Sequence, residues 1–255
     1  MIARANVLGV GINALNMTEA VDLCSNLVAR KTPGYVCVTG VHGIMEAQRD
    51  PSLRRVLNSS FLTVPDGMPT VWIGRLQGYS QMRRVYGPDF MLALCSESVG
   101  RGLRHFLYGG KEGVASELAC SLALRFPGIN IVGTFTPPFR TLTDVEQNDL
   151  VNMIAVAKPD IVWVGLSTPK QERFMASYLS RLDTFLMVGV GAAFDIHTGR
   201  INDAPAWMKS AGLQWLHRLA QEPRRLWKRY LINNPLFVVY MILQLAGRRG
   251  YNLEP

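Results

Sequence analysis

The chain has little that would cross-link it, export it or metallate it. Only four of its 255 residues are cysteines (Cys24, Cys37, Cys95, Cys120), and none stands in a CxxC pair or beside a histidine cluster. That spacing excludes a disulfide scaffold and a zinc knuckle, and reads as reduced, mostly buried thiols of a cytosolic protein. The opening residues, MIARANVLGVGINALN, lack a basic stretch followed by a continuous apolar core, so no signal peptide is expected. The longest apolar run, 235–246, is interrupted by Gln244. It falls short of the roughly 20 residues a bilayer span requires, and is expected to lie in a membrane interface or to pack on the domain. HExxH, GxSxG and P-loop patterns are all missing. So is an Asp-x-Asp pair, which would hold a divalent ion on a sugar nucleotide. No metal site and no cofactor is therefore expected. Any diphosphate ligand would be neutralised by Lys, Arg and helix N-termini. No internal repeat or low-complexity linker occurs.

What is present is basic and globular. Hydrophobic residues make up 48% and charged residues 18%, a balance without room for a long disordered region. The net charge of +8 is concentrated late in the chain. From Arg200 onward there are nine Lys or Arg against three acids, Asp203, Glu222 and Glu254. Such a tail suits nucleic acid, phosphates or an anionic membrane surface.

Short apolar runs alternate with segments of helical periodicity. The runs are 35–41, 61–64, 105–108, 129–132, 161–166 and 185–190; the helical segments include 18–29, 114–126 and 143–157. This alternation predicts an α/β fold, a Rossmann-like mostly parallel sheet with helices on both faces. Residues 1–205 form its α/β catalytic domain. Residues 206–255 form a C-terminal helical appendage, basic and amphipathic. On a helical wheel of 213–231, Leu216, Leu219, Ala220, Leu226, Trp227, Tyr230 and Leu231 share one face, and Arg218, Arg225, Lys228 and Arg229 the other. Pro223 divides the segment into two helices, the second starting near Glu222-Pro223. Either the pair docks on the core with a solvated basic face, or it touches membrane.

In doubly wound sheets ligands bind beyond the carboxyl ends of strands. Five such positions carry polar groups. Thr39-Gly40-Val41-His42-Gly43 offers a hydroxyl, an imidazole and close backbone approach, or is a plain strand-end turn. Val64-Pro65-Asp66-Gly67 is a turn signal that also places a carboxylate where a general base would sit. Gly109-Gly110-Lys111 precedes a helix and suits an anion at its N-terminus. Ser167-Thr168-Pro169-Lys170-Gln171-Glu172 opens a helix that Ser167 or Thr168 can cap, and it crowds three functional side chains into one turn. Gly189 and Gly191 give half of a dinucleotide fingerprint, and Asp195 could hold a ribose diol.

Together these segments resemble the WecG/TagA/CpsF family, glycosyltransferase family 26. The resembling stretches are TVPDGMPTVW, YGPDF, FLYGGKEG, FPGINIVG, KPDIVWVGLSTPKQE, GVGAAFDIHTGRINDAPAWM and GLQWLHRLAQEPRR, in the family's order. The resemblance implies an inverting, metal-independent transferase that moves a sugar from a UDP-sugar to a polyprenyl-diphosphate-linked saccharide. It puts the proposed base at Asp66 and the pocket threonine at Thr39. Gln171 and Asp195 match positions that line the donor pocket; the strand-end segments themselves add His42, Gly109, Gly110, Lys170, Glu172 and Gly191 as candidate substrate contacts. Arg218, Arg224 and Arg225 match appendage arginines that close over the diphosphate. The chain departs from the family pattern at Val41, where Asn is usual, and at Asp203, Gln214 and 137–139. None of these touches Asp66, so they bear on sugar and acceptor identity.

The first expectation is transfer of a hexose-type sugar in exopolysaccharide or cell-surface polysaccharide synthesis. The alternative is N-acetylmannosamine or its uronic acid, in teichoic-acid or common-antigen-type synthesis. The expected location is the cytoplasm, peripheral on the inner face of the membrane, with no nucleic acid as partner. A second copy of the chain is the other candidate to cover the apolar C-terminal surface. A nicotinamide-dependent oxidoreductase lacks support from a third glycine. A non-catalytic membrane or nucleic-acid binder leaves the polar strand ends unexplained.

Overall fold

A computed structural model describes residues 2–253; Met1, Glu254 and Pro255 lie outside the described residues. In chain order the elements are β1 (Arg4–Val7), β2 (Val10–Asn13), α1 (Met17–Ala29), β3 (Gly34–Thr39), α2 (Val41–Arg49), α3 (Pro51–Asn58), β4 (Leu62–Pro65), α4 (Met68–Leu76), α5 (Gly87–Val99), β5 (Arg104–Gly109), α6 (Val114–Arg125), β6 (Asn130–Phe135), α7 (Asp144–Ala157), β7 (Ile161–Gly165), α8 (Lys170–Tyr178), β8 (Leu186–Gly189), α9 (Ala193–His197), α10 (Ala206–Ser210), α11 (Gln214–Gln221) and α12 (Pro223–Leu245).

The main sheet has six strands in the order β4-β3-β8-β7-β5-β6. The β3–β8, β8–β7, β7–β5 and β5–β6 pairs are all parallel. Its central strands are apolar on both faces because helices cover both, and Ile161, Val162, Trp163 and Val164 of β7 are all buried. This is the expected Rossmann-like α/β fold with a helical C-terminal segment.

The chain divides into two compact units. One comprises 18–37 and 87–200. Its core is built on Trp163, Phe106 and Phe194. Trp163 Nε1 donates to His105 Nδ1 at 3.0 Å, and His105 Nε2 lies 2.7 Å from Ser98 Oγ. An indole nitrogen only donates, so Nδ1 is the acceptor and Nε2 carries the proton. Burial pushes the His105 pKa down to about 4, which keeps the ring neutral.

The other unit comprises 1–17, 38–86 and 201–255. It contains a hairpin of β1 and β2, a second, two-stranded sheet that the alternation of apolar runs does not announce. Its two turn residues, Leu8 and Gly9, both have positive φ (54° and 80°), as a tight hairpin of this twist requires. A leucine in that conformation is held from both sides. Leu8 N donates to Gln244 Oε1 at 2.9 Å, and Gln48 Nε2 donates to Leu8 O at 2.8 Å. Gln244 lies on α12, so the C-terminal helix completes the N-terminal hairpin.

Three expectations need correction. The run ending at Val41 stops as a strand at Thr39; Gly40 caps α2, and Val41 and His42 form its first turn. Ser167 and Thr168 do not cap α8. The Thr168 hydroxyl instead donates to the buried Glu172 carboxylate at 2.7 Å, which needs donors more than the helix end needs an acceptor. The division at Pro223 holds, but the wheel of α12 does not. Leu226, Asn233, Phe237 and Met241 face inward, Trp227 and Leu231 are exposed, and the Arg229 Nε is buried. The apolar run 235–246 continues this helix, with Val238, Val239, Ile242 and Leu245 exposed.

Candidate active site

The expected site residues fall into two sets, one in each unit. The first set gathers around the ends of β3 and β4. Asp66 N donates to Thr39 O at 3.1 Å, which ties the two strand ends together. A Cβ on Gly40 would stand 3.8 Å from Asp66 Oδ2, so a glycine there leaves the carboxylate uncovered on that side. Thr39 is 2% exposed and its hydroxyl oxygen reaches no hydrogen-bond partner among the described residues. A buried hydroxyl left unmatched costs about 1–3 kcal/mol, a cost that a ligand or water removes. Asp66 has a side-chain exposure of 34%, accessible enough to take a proton from a bound hydroxyl.

Arg84 organises this set, and no local pattern marked it. Its Nε donates to the Asp66 carbonyl, and its Nη2 donates to Gln214 Oε1 while standing 4.0 Å from Asp66 Oδ1. Gln214 in turn donates to Asp203 Oδ1 at 3.3 Å. Asp203 also accepts from Tyr86 at 2.8 Å and from Lys209 Nζ at 2.8 Å. Burial alone would raise the Asp203 pKa, but the bonds from Lys209 and Tyr86 outweigh it and hold the group ionised. Burial, with the Asp66 and Asp203 charges, pushes the Tyr86 phenol far upward, so it stays a donor. Two of the departures from the family pattern, Asp203 and Gln214, are thus in direct contact and belong to one chain leading to Asp66.

His42 sits in the first turn of α2, with Nδ1 3.8 Å from Glu46 Oε1 and 3.4 Å from Asn233 Nδ2. Arg218 and Arg225 both donate to Glu222, at 3.0 and 2.7 Å. Arg224 is exposed, and among the described residues no contact draws it to this group.

The second set lies in the other unit. Gly109 and Gly110 both have positive φ. A Cβ on Gly109 would meet the Gly165 backbone at 2.7 Å, and Gly110 N donates to Gly165 O at 3.0 Å. Gly109 therefore serves the close contact between β5 and β7, and the Gly110 amide is taken. Gln171 is buried at 2% exposure; its Nε2 donates to Glu172 Oε1 at 3.2 Å, while its Oε1 has no partner among the described residues. A Cβ on Gly191 would lie 3.5 Å from that same oxygen, so Gly191 leaves it approachable. Lys170 is exposed, with Nζ 5.9 Å from the Phe139 ring. Asp195 lies in the first turn of α9, where its charge acts on Arg200. Among the described residues, no group of three or more His, Cys, Asp and Glu side chains could hold a metal ion. Nor is any helix long and apolar enough to cross a membrane.

An N-acetylglucosaminyldiphosphoundecaprenol N-acetyl-beta-D-mannosaminyltransferase of Bacillus subtilis is 28% identical over 242 residues, covering 94% of this chain and 91% of the relative. A protein of the same name from Bacillus spizizenii is 31% identical over 186 residues, covering 73% and 70%. The profile of the glycosyl transferase WecG/TagA/CpsF family matches residues 5–251. Given that match over nearly the whole length, the chain belongs to the WecG/TagA/CpsF family and is a glycosyltransferase.

Proposed function

We propose that this enzyme transfers an N-acetylmannosaminyl group from a UDP-linked donor to a polyprenyl-diphosphate-linked N-acetylglucosamine, with Asp66 as general base. The names of both Bacillus relatives put this sugar ahead of the hexose first expected from sequence. The observation that carries the mechanism is the half-exposed Asp66 carboxylate at a strand end, held by Arg84 and adjoining Gly40.

In the reaction, an acceptor hydroxyl oxygen attacks C1 of the donor sugar from the face opposite UDP. The C1–O bond to UDP breaks, UDP leaves with the electron pair, and the hydroxyl proton passes to Asp66. Opposite-face attack inverts C1. General-base help of this kind contributes roughly 10²–10⁴-fold. Holding donor and acceptor in line and stabilising the departing diphosphate supply the rest. Thr39 binds a substrate oxygen through its unmatched hydroxyl. Gln171, with Gly191, Lys170, Glu172 and Asp195, contacts the donor. Arg218 and Arg225 meet diphosphate oxygens, for which a guanidinium fork is suited. The basic residues of α12 and its exposed Trp227, Leu231 and Ile242 rest on the inner face of an anionic membrane, where the lipid acceptor is rooted.

The test is UDP release from a panel of UDP-sugars with a short-chain polyprenyl-diphosphate-N-acetylglucosamine. Acceptor-dependent release from UDP-N-acetylmannosamine is expected; release from a UDP-hexose alone would overturn the sugar assignment. Asp66→Asn should abolish transfer with the fold intact, and full activity in that variant would remove Asp66 as base.

A further inference from the structure

The joint between α11 and α12 holds three guanidinium groups and one carboxylate. Glu222 is the joint residue itself, and a single oxygen, Oε2, accepts from both Arg218 Nη2 and Arg225 Nη2. Arg218 is well covered, with side-chain exposure of 13%, and its Nε reaches no hydrogen-bond partner among the described residues. The buried Nε of Arg229 is in the same position. Arg229 lies one turn beyond Arg225 on α12. Burial first, and then the charges of Arg218 and Arg225, hold its pKa below the usual arginine value, while Asp66 acts in the opposite sense. Two guanidinium groups at the joint are thus answered by one carboxylate oxygen, a third lies one turn further on, and the Nε donors of Arg218 and Arg229 are kept out of water. A carboxylate oxygen bridging two arginines makes the same contact that a phosphoryl oxygen would make.

We propose that Glu222 is an internal stand-in for a diphosphate. In the ligand-free protein it occupies the seat between Arg218 and Arg225; an entering diphosphate displaces it and takes Arg229 as a third donor. The inference rests on the functional reading above for the kind of ligand, since both the nucleotide donor and the lipid acceptor carry a diphosphate. Its sign is opposite to that of a purely structural tie. A tie should weaken the site when broken, whereas a stand-in should strengthen binding when removed.

The experiment is calorimetric titration of the full chain with inorganic pyrophosphate, UDP and geranyl diphosphate, alongside thermal melting. Glu222→Gln should bind pyrophosphate about fivefold more tightly, the factor that corresponds to a surface ion pair at the strong end of its range. Whichever of UDP and geranyl diphosphate gains by the same factor is the natural source of the diphosphate. Arg229→Gln should weaken pyrophosphate binding, and Glu97→Gln, which breaks the remote Glu97–Arg101 pair, should leave it unchanged. If Glu222→Gln melts early, Glu222→Asp keeps the charge but shortens its reach, and should still tighten binding. Unchanged or weaker pyrophosphate binding in a well-folded Glu222 variant overturns the proposal. Tighter binding in Glu222→Gln, with no transfer by any variant, would support the stand-in while the transfer reading fails. Normal transfer with unaltered binding would do the reverse.

Discussion

Arg84 is the residue through which Asp66 is positioned. It holds the Asp66 carbonyl with one nitrogen and Gln214 with another, so Asp66 and the start of α11 share one guanidinium. Arg84→Met should lower kcat by roughly 10–100-fold, because a small misplacement of a catalytic group is expensive. Circular dichroism should be unchanged, and wild-type turnover would show that Asp66 needs no such support. At a distance from that chemistry, His105 makes a different prediction. Its pKa is about 4 in the folded chain and about 6.5 when unfolded. The lowered value means that the unfolded state binds the proton more readily. The stabilisation is therefore complete above pH ~6.5 and is lost as the pH falls toward ~4, about 3 kcal/mol over that window. His105→Gln keeps a donor and an acceptor without the titration. Denaturant melts across pH 4–7 should show a flatter dependence in that variant.

At the scale of elements, the strand ends were largely legible because parallel strands buried on both faces write themselves as unbroken apolar runs. Tyr35, Leu107, Trp163 and Val188 all sit in strands where the runs put them. α7 was legible for a local reason: Thr143 and Glu146 form a reciprocal capping box, with Arg140 paired to Glu146. Thr143→Ala should cost about 1 kcal/mol in a urea melt. The hairpin was not legible. Its strands have four residues each, and its Leu-Gly turn carries no Asn or Asp; the conformation is imposed by Gln48 and Gln244 from far along the chain. The site showed the same split. Asp66, Thr39 and Gln171 stand at strand ends or helix starts, where position alone makes them visible. Arg84 and Arg229 owe their importance to partners distant in sequence or to burial, which no spacing announces. Gly109 has a packing reason besides the anion-binding one first read, since the Gly165 backbone leaves no room for a Cβ there. Gly109→Ala should therefore disrupt the β5–β7 contact and lower the melting temperature of the whole chain, as differential scanning fluorimetry would show.

At the scale of the molecule, the exposed row Trp227, Leu231, Val238, Ile242 and Leu245 runs along α12, whose basic residues, Arg224, Arg225, Lys228 and Arg229, lie in its first two turns. Replacing Trp227, Leu231 and Ile242 together by serine should reduce sedimentation with anionic vesicles. Such surface changes are a cleaner probe than deletion from residue 206 on, which would also remove Leu226, Phe237 and Met241 from the core. The unit that carries Asp66 is assembled from three separate stretches of chain, the last starting at Ile201. Asn6 and Leu8 complete their hydrogen bonds only with Gln244, and Asn6 also with Tyr251, nearly the full chain length away. During synthesis this unit must wait, half-built, while the other, drawn from 18–37 and 87–200, already has all its residues. A ribosome paused before residue 244 would hold a nascent protein whose first hairpin lacks its last partners. The unit that carries Asp66 is therefore completed only once residues 244 and 251 have emerged, well after the other unit has all its residues.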